Sequence, residues 1–570
     1  MLVGIDVGGT TTDAVLIRNG NVCSTAKVST EYGNLLNSLL EALDAIIRDI
    51  SPEQLERVVL STTVITNLIA EGKTDRVALV LIPGPGINPS SYVFPDSFYL
   101  KGAVDYRGRE IQPIDEAEVR KTVNMIREQG FLRAAVVSKF GQRNPSHELL
   151  IEEIFREMHP ACKLELGHKV SGKLNFPRRI ATSMLASATR EHYQEFVEQV
   201  KKALKERNVK APVYILKADG GTLSVEKSIA FPVETIFSGP AASTIGALAL
   251  TPKGETSVVV DIGGTTTDLA LILSGKPLLA SKGAKLGAFL THVRAFAVRS
   301  IAVGGDSVVR VTDSSSGKKL ITIGPDRSGP ACCMGGEETT TTDALRVLGL
   351  IEAGSLERAR KAIAVTASSL GKSEIETASL IVGKTTQMIA EAVHEMFLEW
   401  EQEPAYRIWE VLQEKKERPQ NVVGIGGGAR GLIAGIAEKL DAKPVIPEFA
   451  EVGNAIGAAV ARPTLTLNLR IDTEQKVYSI AEEGKITSLN STDISNFNKM
   501  GSDEAEALAA KLLRERAKSF GISEYAGEAE VVSSEVFNVV SGWYTVGKLF
   551  DVDMQIPAGL ISEWKREEEK

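Results

Sequence analysis

The sequence has few of the residues that build metal and disulfide sites. Its 570 residues include four cysteines and six histidines. The cysteines form no C-x-x-C pair and the histidines no H-x-x-x-H pair, so we expect no zinc site. Free thiols, together with the absence of an export signal at the N-terminus, favour the cytoplasm.

Long apolar runs and blocks of basic charge are also missing. No apolar run reaches the length of a membrane span, and Asp6 interrupts the apolar start of the chain, which is typical of a first strand. Lysine and arginine number 65 against 73 acidic residues, a net charge of −8 without a basic cluster. We therefore expect neither a membrane nor a nucleic acid as partner.

One eleven-residue stretch occurs twice in nearly the same form. Residues 6–16 are DVGGTTTDAVL and residues 261–271 are DIGGTTTDLAL, with eight of eleven positions identical. Each copy follows a short apolar run and leads to a turn dipeptide, Asn19-Gly20 or Ser274-Gly275. This pattern predicts a strand, a tight glycine turn and a hairpin in both copies.

The residue types in this repeat suit the binding of phosphate. Paired glycines let a ligand approach the backbone, and successive N–H groups in such a turn form an anion site. Threonine hydroxyls add donors, and an aspartate at the strand end is a ligand that Mg²⁺ accepts. The predicted phosphate-binding residues are Gly8, Gly9, Thr10, Thr11, Gly263, Gly264, Thr265 and Thr266. A hairpin repeat without a ligand is the alternative.

Two further glycine turns are candidates for nucleotide binding. Gly426-Gly427-Gly428 lies between a predicted strand at 421–425 and a helix at 432–439, where nucleotides commonly bind. The same triplet could instead let a helix pack closely on a strand. Gly304-Gly305 forms the second turn.

Other loops could contact a substrate. Thr62, Thr63 and Asn67 follow a short strand, although a Ser/Thr cluster there also caps helices. Asp219-Gly220-Gly221 ends another strand, either simply terminating it or admitting a ligand. The Pro/Gly-rich loop 324–336 suggests a lid or wall of an active site, in which Cys332-Cys333 packs rather than catalyses. The small residues at 454–459 predict a helix suited to close packing.

In order along the chain, these elements resemble the actin, sugar-kinase and heat-shock-chaperone ATPase fold. Within that fold the chain resembles the A-type, ATP-dependent subunit of the hydantoinase/5-oxoprolinase family from residue 1 to about 463. The motifs that carry the resemblance are DVGGTTTD (6–13), TTVITN (62–67), RNPSHE (143–148), DGG (219–221), SGPAA (238–242), DIGGTTTD (261–268), GPACCMGG (329–336), TDA (342–344) and GGGAR (426–430).

The resemblance implies an α/β fold with two lobes around a cleft and a phosphate hairpin from each lobe. We expect residues 1–74 and 177–250 to form the first lobe and 75–176 an inserted α/β domain. Residues 251–464 would form the second lobe with its adenosine loop, and 465–570 a C-terminal α+β domain for packing or association. A chain of this length suggests three or four domains.

The resemblance also implies a reaction. The family transfers the γ-phosphate of ATP to the oxygen of a lactam, hydantoin or imide, and water then opens the activated ring. Asp6 and Asp261 would hold Mg²⁺, residues 426–428 would receive adenosine, and Asp6, Asp261 and Asp268 are the expected catalytic residues. Either Asp261 or Asp268 would orient the nucleophile, whereas Asp13 and Asp268 could merely cap their hairpins.

Two motifs differ from the family pattern, and they concern the substrate. Leu60-Ser61 replaces a usual His-Gly, and Ala297-Val298-Arg299 replaces a usual D-x-H. The motifs expected to bind phosphate therefore match the family pattern, whereas the sequence does not define which cyclic amide is the substrate. A separate B-type subunit is an expected partner, and a homo-oligomer is possible. An ATPase that activates a partner enzyme and a small-molecule kinase are the alternative functions.

Overall fold

The computed structural model describes residues 1–31, 34–86, 94–251, 254–313, 319–403, 417–489 and 500–564. The chain begins with the predicted hairpin and its neighbours. These are β1 (Leu2–Val7), β2 (Thr11–Arg18), β3 (Asn21–Ser29), α1 (Leu35–Ile47), β4 (Arg57–Thr62) and α2 (Val64–Ala70). β1 pairs antiparallel with β2 and parallel with β4, so the first copy of the repeat lies at the centre of its sheet.

A smaller α/β unit follows. It comprises β5 (Ala78–Ile82), β6 (Ser97–Tyr99), β7 (Ala103–Val104), β8 (Glu110–Gln112), α3 (Glu116–Glu128), β9 (Arg133–Ser138), α4 (Ser146–Met158), β10 (Lys163–Leu166) and α5 (Gly167–Val170). Its sheet has the order β10-β9-β5-β6 and is parallel throughout. Glu148, from the RNPSHE motif, is fully buried and accepts hydrogen bonds from Ser138 N and His168 Nδ1. Glu148 therefore links α4 with β9 and α5 within this unit.

The chain then returns to the first sheet. The elements are α6 (Phe176–Glu206), β11 (Val213–Leu216), β12 (Thr222–Ser224), α7 (Val225–Ser228) and α8 (Ser238–Leu250), which complete the strand order β12-β11-β4-β1-β2-β3. In the described ranges, no helix combines the length and the apolar character needed to cross a membrane.

The second half repeats this arrangement. Its elements are β13 (Ser257–Ile262), β14 (Thr267–Leu273), β15 (Lys276–Pro277), β16 (Lys285–Leu286), β17 (Phe289–Leu290), β18 (Val298–Ile301), β19 (Val309–Asp313), β20 (Lys319–Ile323), α9 (Thr341–Val347), α10 (Leu356–Leu370), α11 (Glu374–Glu401), β21 (Asn421–Ile425), α12 (Ala429–Lys439), β22 (Lys443–Val445) and α13 (Gly453–Val460). β13 pairs antiparallel with β14 and parallel with β21, as β1 does with β2 and β4. The predicted duplicated α/β architecture is therefore confirmed.

A last unit contains β23 (Leu465–Asp472), β24 (Val477–Ile480), β25 (Lys485–Ser488), α14 (Ser502–Phe520), β26 (Glu530–Ser541) and β27 (Tyr544–Ile556). Its antiparallel sheet has the order β25-β24-β23-β27-β26, and α14 packs on it through a separate apolar core. The tip of the β26–β27 hairpin carries Trp543, whose side chain is 98% exposed. The domain boundaries expected from the sequence stay a prediction.

Helices α8 and α13 pack between the two sheets at distances that only glycine allows. A Cβ on Gly4 of β1 would lie 2.0 Å from the carbonyl oxygen of Ala455, and one on Gly457 would lie 2.0 Å from that of Ala242. A Cβ on Gly246 would lie 2.2 Å from the carbonyl oxygen of Gly453. The close packing expected of this small-residue helix is confirmed, and α13 is held rigidly at the centre of the molecule.

Candidate nucleotide site and the adjoining cavity

The two copies of the repeat form the same turn. Gly8 N donates to Thr11 O at 3.1 Å, and Gly263 N donates to Thr266 O at 3.0 Å. The third threonine of each copy is used inside the protein, since Thr12 Oγ1 bonds Thr30 Oγ1 and Thr267 Oγ1 donates to Val303 O. The other threonines, Thr10, Thr11, Thr265 and Thr266, are exposed or half-buried, which leaves their hydroxyls accessible to a ligand.

The register of each hairpin places its two aspartates opposite each other. Asp6 faces Asp13 across β1 and β2, and Asp261 faces Asp268 across β13 and β14. Asp13 is paired with Lys27 Nζ at 2.7 Å. Asp268 instead lies beside Ser300 of β18, and no ion pair within the described ranges neutralises it. The copies are therefore alike in backbone and different in electrostatics.

In the part of the chain that the structure describes, one side chain is hydrogen-bonded to both hairpins. Asn454 Nδ2, on α13, lies 3.3 Å from Asp6 Oδ2 and 3.0 Å from Asp261 Oδ2. The Ser243 hydroxyl of α8 also donates to Asp261 Oδ2. The structure thus brings the expected catalytic residues Asp6 and Asp261 together at one point between the lobes.

Asn454 and Ser243 were not predicted as site residues. Asn454 was read only as part of a packing helix, although it is the one polar residue in the run GNAIGAAV. A lone amide in a small apolar helix was the available signal. Ser243 lies among other small residues and offered no comparable signal.

Burial dominates the electrostatics of the carboxylates. It raises the pKa of Asp6 to about 7, an effect that hydrogen bonds with Ser61 and Asn454 offset only in part and that the charges of Asp13 and Asp261 reinforce. Burial and the neighbouring charge of Asp261 raise the pKa of Asp268 to about 6. A cluster of carboxylates in a poorly solvated place favours the approach of a proton or a cation.

Two buried oxygens at this point have no hydrogen-bond partner in the part of the chain that the structure describes. They are Asp6 Oδ1 and Asn454 Oδ1. The same part holds no group of three or more His, Cys, Asp or Glu side chains suited to a metal ion. Mg²⁺ in phosphate sites takes one or two carboxylates and completes its shell with water and phosphate oxygens, so these oxygen ligands fit it.

The turn at Gly304-Gly305 packs on the second hairpin. Gly305 N donates to Gly263 O at 2.9 Å, and Asp306 N donates to Gly264 O at 2.7 Å. A Cβ on Gly304 would lie 2.6 Å from Gly263 O, and the Asp306 side chain, paired with Arg327, covers Gly264. By contrast, nothing lies within 4 Å of a Cβ built on Gly9. The first turn is therefore the more open of the two.

The Gly426-Gly427-Gly428 turn lies beside Asp261. Gly426 has φ +83°, and a Cβ there would lie 2.5 Å from Asp261 Oδ1. A Cβ on Gly428 would lie 2.5 Å from the side chain of Ile262, whereas nothing lies within 4 Å of one on Gly427. Close packing thus explains the first and third glycines, and Gly427 is open towards a ligand.

A cavity of about 1030 Å³ adjoins Asp268 between the lobes. Thr63 lies on its wall with apolar groups that include Leu271, Phe296 and Trp400. Thr63 Oγ1 donates to Val7 O at 3.2 Å and accepts from Asn67 Nδ2 at 3.3 Å. Thr62 is buried, and its N–H donates to Ser238 Oγ at 3.1 Å. Of these three predicted substrate residues, only Thr63 lines the cavity.

The Asp219-Gly220-Gly221 turn lies elsewhere. Asp219 accepts hydrogen bonds from Gly221 N at 3.0 Å and Thr464 Oγ1 at 2.9 Å, and it pairs with Lys217. A Cβ on Gly220 would lie 2.4 Å from the Phe296 ring. Asp219 lines a separate cavity of about 320 Å³, so the structure does not bring this turn together with Asp268.

Asp343 anchors the cysteine-containing loop. Its carboxylate accepts hydrogen bonds from Cys332 N at 3.1 Å, Cys333 N at 2.7 Å and Thr340 N at 2.9 Å. Burial raises the pKa of the Cys333 thiol to about 12, which leaves it protonated at neutral pH. The pair packs the loop, as the sequence led us to expect.

Family models match most of the chain. Residues 2–159 match the model of the hydantoinase/oxoprolinase N-terminal region, and residues 179–466 match that of hydantoinase/oxoprolinase. The chain belongs to the hydantoinase/oxoprolinase family. The family resemblance inferred from the ordered motifs is thereby confirmed.

Relatives of this hydantoinase/oxoprolinase chain include subunits of named enzymes. It is 25% identical to caprolactamase subunit alpha of Pseudomonas jessenii over 523 residues, which cover 83% of this chain and 72% of that one. It is 27% identical to the acetophenone carboxylase gamma subunit of Aromatoleum aromaticum over 448 residues, 69% of this chain and 60% of the relative.

Two solved structures share the fold of this hydantoinase/oxoprolinase chain. The nucleotide-free structure of an acetone carboxylase that acts ATP-dependently has a TM-score of 0.69 at 18% identity, covering 99% of this chain and 88% of that one. An ATP-dependent caprolactamase from Pseudomonas jessenii has a TM-score of 0.66 at 19% identity, and the match covers 97% of this chain and 87% of that one. The chain therefore shares the fold of these two proteins.

Proposed function

We propose that this chain uses ATP to phosphorylate the carbonyl oxygen of a cyclic amide (a lactam, hydantoin or imide), which leads to hydrolytic opening of the ring. One observation carries the proposal. Asn454 bridges Asp6 and Asp261, so the two phosphate turns face one point, and Asp268, which opens on the large cavity, lies opposite Asp261 in the hairpin. Nucleotide phosphates and a small substrate would thus be neighbours.

In this proposal the nucleotide lies across both turns. The open first turn, with Gly8, Gly9, Thr10 and Thr11, and the second turn would donate N–H and O–H groups to the phosphates, and adenosine would approach Gly427. Asp6 and Asp261 would hold Mg²⁺, which neutralises phosphate charge when bound. ATP dependence is a stated property of the caprolactamase and acetone carboxylase structures that share this fold.

The substrate in this proposal occupies the cavity beside Asp268. Cyclic amides share a carbonyl next to a ring N–H, and lactams otherwise present apolar methylene groups, which suit the Leu271, Phe296 and Trp400 walls. The cavity volume is at the upper end of the range for small-molecule sites. Arg299 also lines it but is bound to Glu395 and Glu399, each at 2.6 Å, whereas Lys282 and Lys285 line the same cavity as further cations.

Asp268 has the chemistry to activate such a ring. Its ionised carboxylate would accept the hydrogen bond of the ring N–H, and this moves electron density onto the carbonyl oxygen. That oxygen then attacks the γ-phosphorus, the bond to ADP breaks, and the N–H proton passes to Asp268. A carboxylate with a pKa near 6 is suited to exchange a proton at neutral pH. The phosphorylated ring is then open to attack by water.

A separate protein chain is expected to take part. The relatives of this chain are named as an alpha subunit of a caprolactamase and a gamma subunit of an acetophenone carboxylase, that is, as parts of multi-chain enzymes. We therefore propose a B-type or similar partner that completes the hydrolysis. A homo-oligomer and a cytoplasmic location stay predictions.

The direct test measures ADP release by the purified chain with Mg²⁺-ATP and a panel of lactams, hydantoins and cyclic imides, beside the Asp261→Ala variant. We expect one ring compound to stimulate turnover at least tenfold and the variant to abolish it. Turnover that requires an added protein and no ring would instead favour an activator. A stable phosphorylated product, one per ADP, would favour a kinase.

A further inference from the structure

Asn454 occupies a position that no other side chain in the described residues shares. It lies near the start of α13, and its Nδ2 is within hydrogen-bond distance of a carboxylate oxygen from each lobe. Ser243 donates to Asp261 and Ser61 bonds Asp6, but neither reaches both aspartates. Contact with both phosphate hairpins is therefore specific to Asn454.

The backbone that carries Asn454 is fixed on three sides. β1 packs against it at Gly4, α8 packs against it at Gly246, and a Cβ on Gly453 would lie 2.9 Å from the Ile425 side chain of β21. These contacts involve both sheets, and interiors packed this closely do not deform gradually. The amide nitrogen is thus held at a set place relative to Asp6 and Asp261.

One amide NH₂ group supplies two hydrogens, one for each carboxylate. By accepting from the same nitrogen, Asp6 Oδ2 and Asp261 Oδ2 are kept within two hydrogen-bond lengths of each other despite their like charges. A chelating pair needs such a spacing before the cation arrives, because otherwise part of the binding free energy is spent on bringing the ligands together. The unpartnered oxygens Asp6 Oδ1 and Asn454 Oδ1 lie at the same point.

We propose that Asn454 is a positioning residue, whose side-chain amide sets the separation of Asp6 and Asp261 and thereby the affinity of this pair for a divalent cation. The inference rests on the proposed function, which assigns the cation to these two aspartates. It adds Asn454, on the central helix α13, as the residue that fixes the distance between the aspartates of β1 and β13.

The test uses Mn²⁺ as the probe, titrated into the full chain and followed by electron paramagnetic resonance, with and without ADP. The Asn454→Leu variant keeps the volume and removes the donor, so the aspartates move apart and the Mn²⁺ dissociation constant should rise about tenfold. The Asn454→Asp variant keeps an oxygen at the same place but cannot donate to either aspartate, so it should also bind Mn²⁺ more weakly than the unaltered chain. If Asn454 acted only as an oxygen ligand, Asn454→Asp would instead bind Mn²⁺ at least as tightly.

Asn421→Leu is the matched control. Asn421, at the far end of β21, also donates to a carboxylate, that of Glu255, but does not contact the aspartate pair. Its variant should melt at a lower temperature with an unchanged Mn²⁺ constant. If Asn454→Leu does not fold, Asn454→Ser, whose side chain is too short to bridge both carboxylates, is judged by the same criterion.

The outcomes separate this inference from the proposed function. If the unaltered chain binds no Mn²⁺ in either condition, the cation site itself is wrong and the inference falls with it. If the chain binds Mn²⁺, Asp261→Asn abolishes binding, and Asn454→Leu stays within twofold or binds more tightly, the site stands and the role of Asn454 is refuted. Binding by Asn454→Asp at least as tight as that of the unaltered chain also refutes it, because that variant has no donor.

Discussion

Asp13 and Asp268 occupy the same position in the two copies of the repeat, yet among the described residues only Asp13 has a cation beside it. Lys27 Nζ lies 2.7 Å from Asp13 Oδ1, whereas Asp268 faces Ser300 and opens on the cavity of about 1030 Å³. The two hairpins therefore differ at this position, because Asp13 is neutralised whereas Asp268 is half-buried and has no cation partner among the described residues. A carboxylate without a counter-charge at a cavity is a marker of a functional site.

The first prediction compares these two aspartates. Asp268→Asn should lower ring-stimulated ADP release at least a hundredfold, because the amide cannot take the N–H proton, while Asp13→Asn should change it less than threefold. Steady-state ADP release measured on both variants checks this. Equal losses in the two variants would show that Asp268 has no special role.

The second prediction concerns the Lys27–Asp13 pair. Lys27→Met leaves the Asp13 carboxylate buried without its cation and should lower the free energy of unfolding by about 2 kcal/mol. Urea denaturation measures the change. The double variant Lys27→Met/Asp13→Asn removes the stranded charge and should recover part of the loss. A single variant as stable as the unaltered chain would contradict this account.

The third prediction compares two glycines within helices. Gly457→Ala places a Cβ 2.0 Å from the Ala242 carbonyl and should cost at least about 2 kcal/mol, since neither backbone can move away. Gly383→Ala, in α11, meets nothing within 4 Å and should stabilise the protein by about 0.5 to 1 kcal/mol. Thermal or urea unfolding distinguishes the two, and a shift of the same sign in both would refute the packing argument.

The fourth prediction concerns pH. Burial, reinforced by the positive charges of Arg179 and Lys173, lowers the pKa of His292 to about 3, and its Nδ1 lies 2.7 Å from Ser171 Oγ. The unfolded chain takes up the proton near pH 6.5 and the folded chain does not. The contribution of His292 to the free energy of unfolding is therefore fully present above pH 6.5. It decreases as the pH drops towards 3, by up to about 1.4 kcal/mol per pH unit.

His292→Asn removes that proton uptake. Between pH 7 and pH 5.5 the variant should lose less unfolding free energy than the unaltered chain, by roughly 1 kcal/mol. Urea denaturation at the two pH values provides the comparison, in which the other titrating groups cancel. Equal pH dependence in both proteins would show that His292 is not held neutral by the fold.

Local features of the sequence were sufficient to predict the backbone conformation of the site. The Gly-Gly-Thr turns, the strands beside them and the helix at 454–459 follow from short-range patterns, because turn geometry and amphipathic period are properties of a few consecutive residues. The order of nine motifs along the chain was sufficient to identify the family. The repeat, the glycines at 426–428 and Asp219 each had two interpretations, and the choice between them required the spatial neighbours to be known.

Tertiary structure decided which side chains act together. Asn454 is 448 residues from Asp6 and 193 from Asp261 in sequence, so no local pattern could show that it bridges them. The difference between Asp13 and Asp268 likewise depends on the strand beside each one, β3 with Lys27 or β18 with Ser300. Asp219 belongs to another cavity for the same reason: burial, charge pairing and approach are set by residues distant along the chain, which meet only when the sheets and the central helices pack.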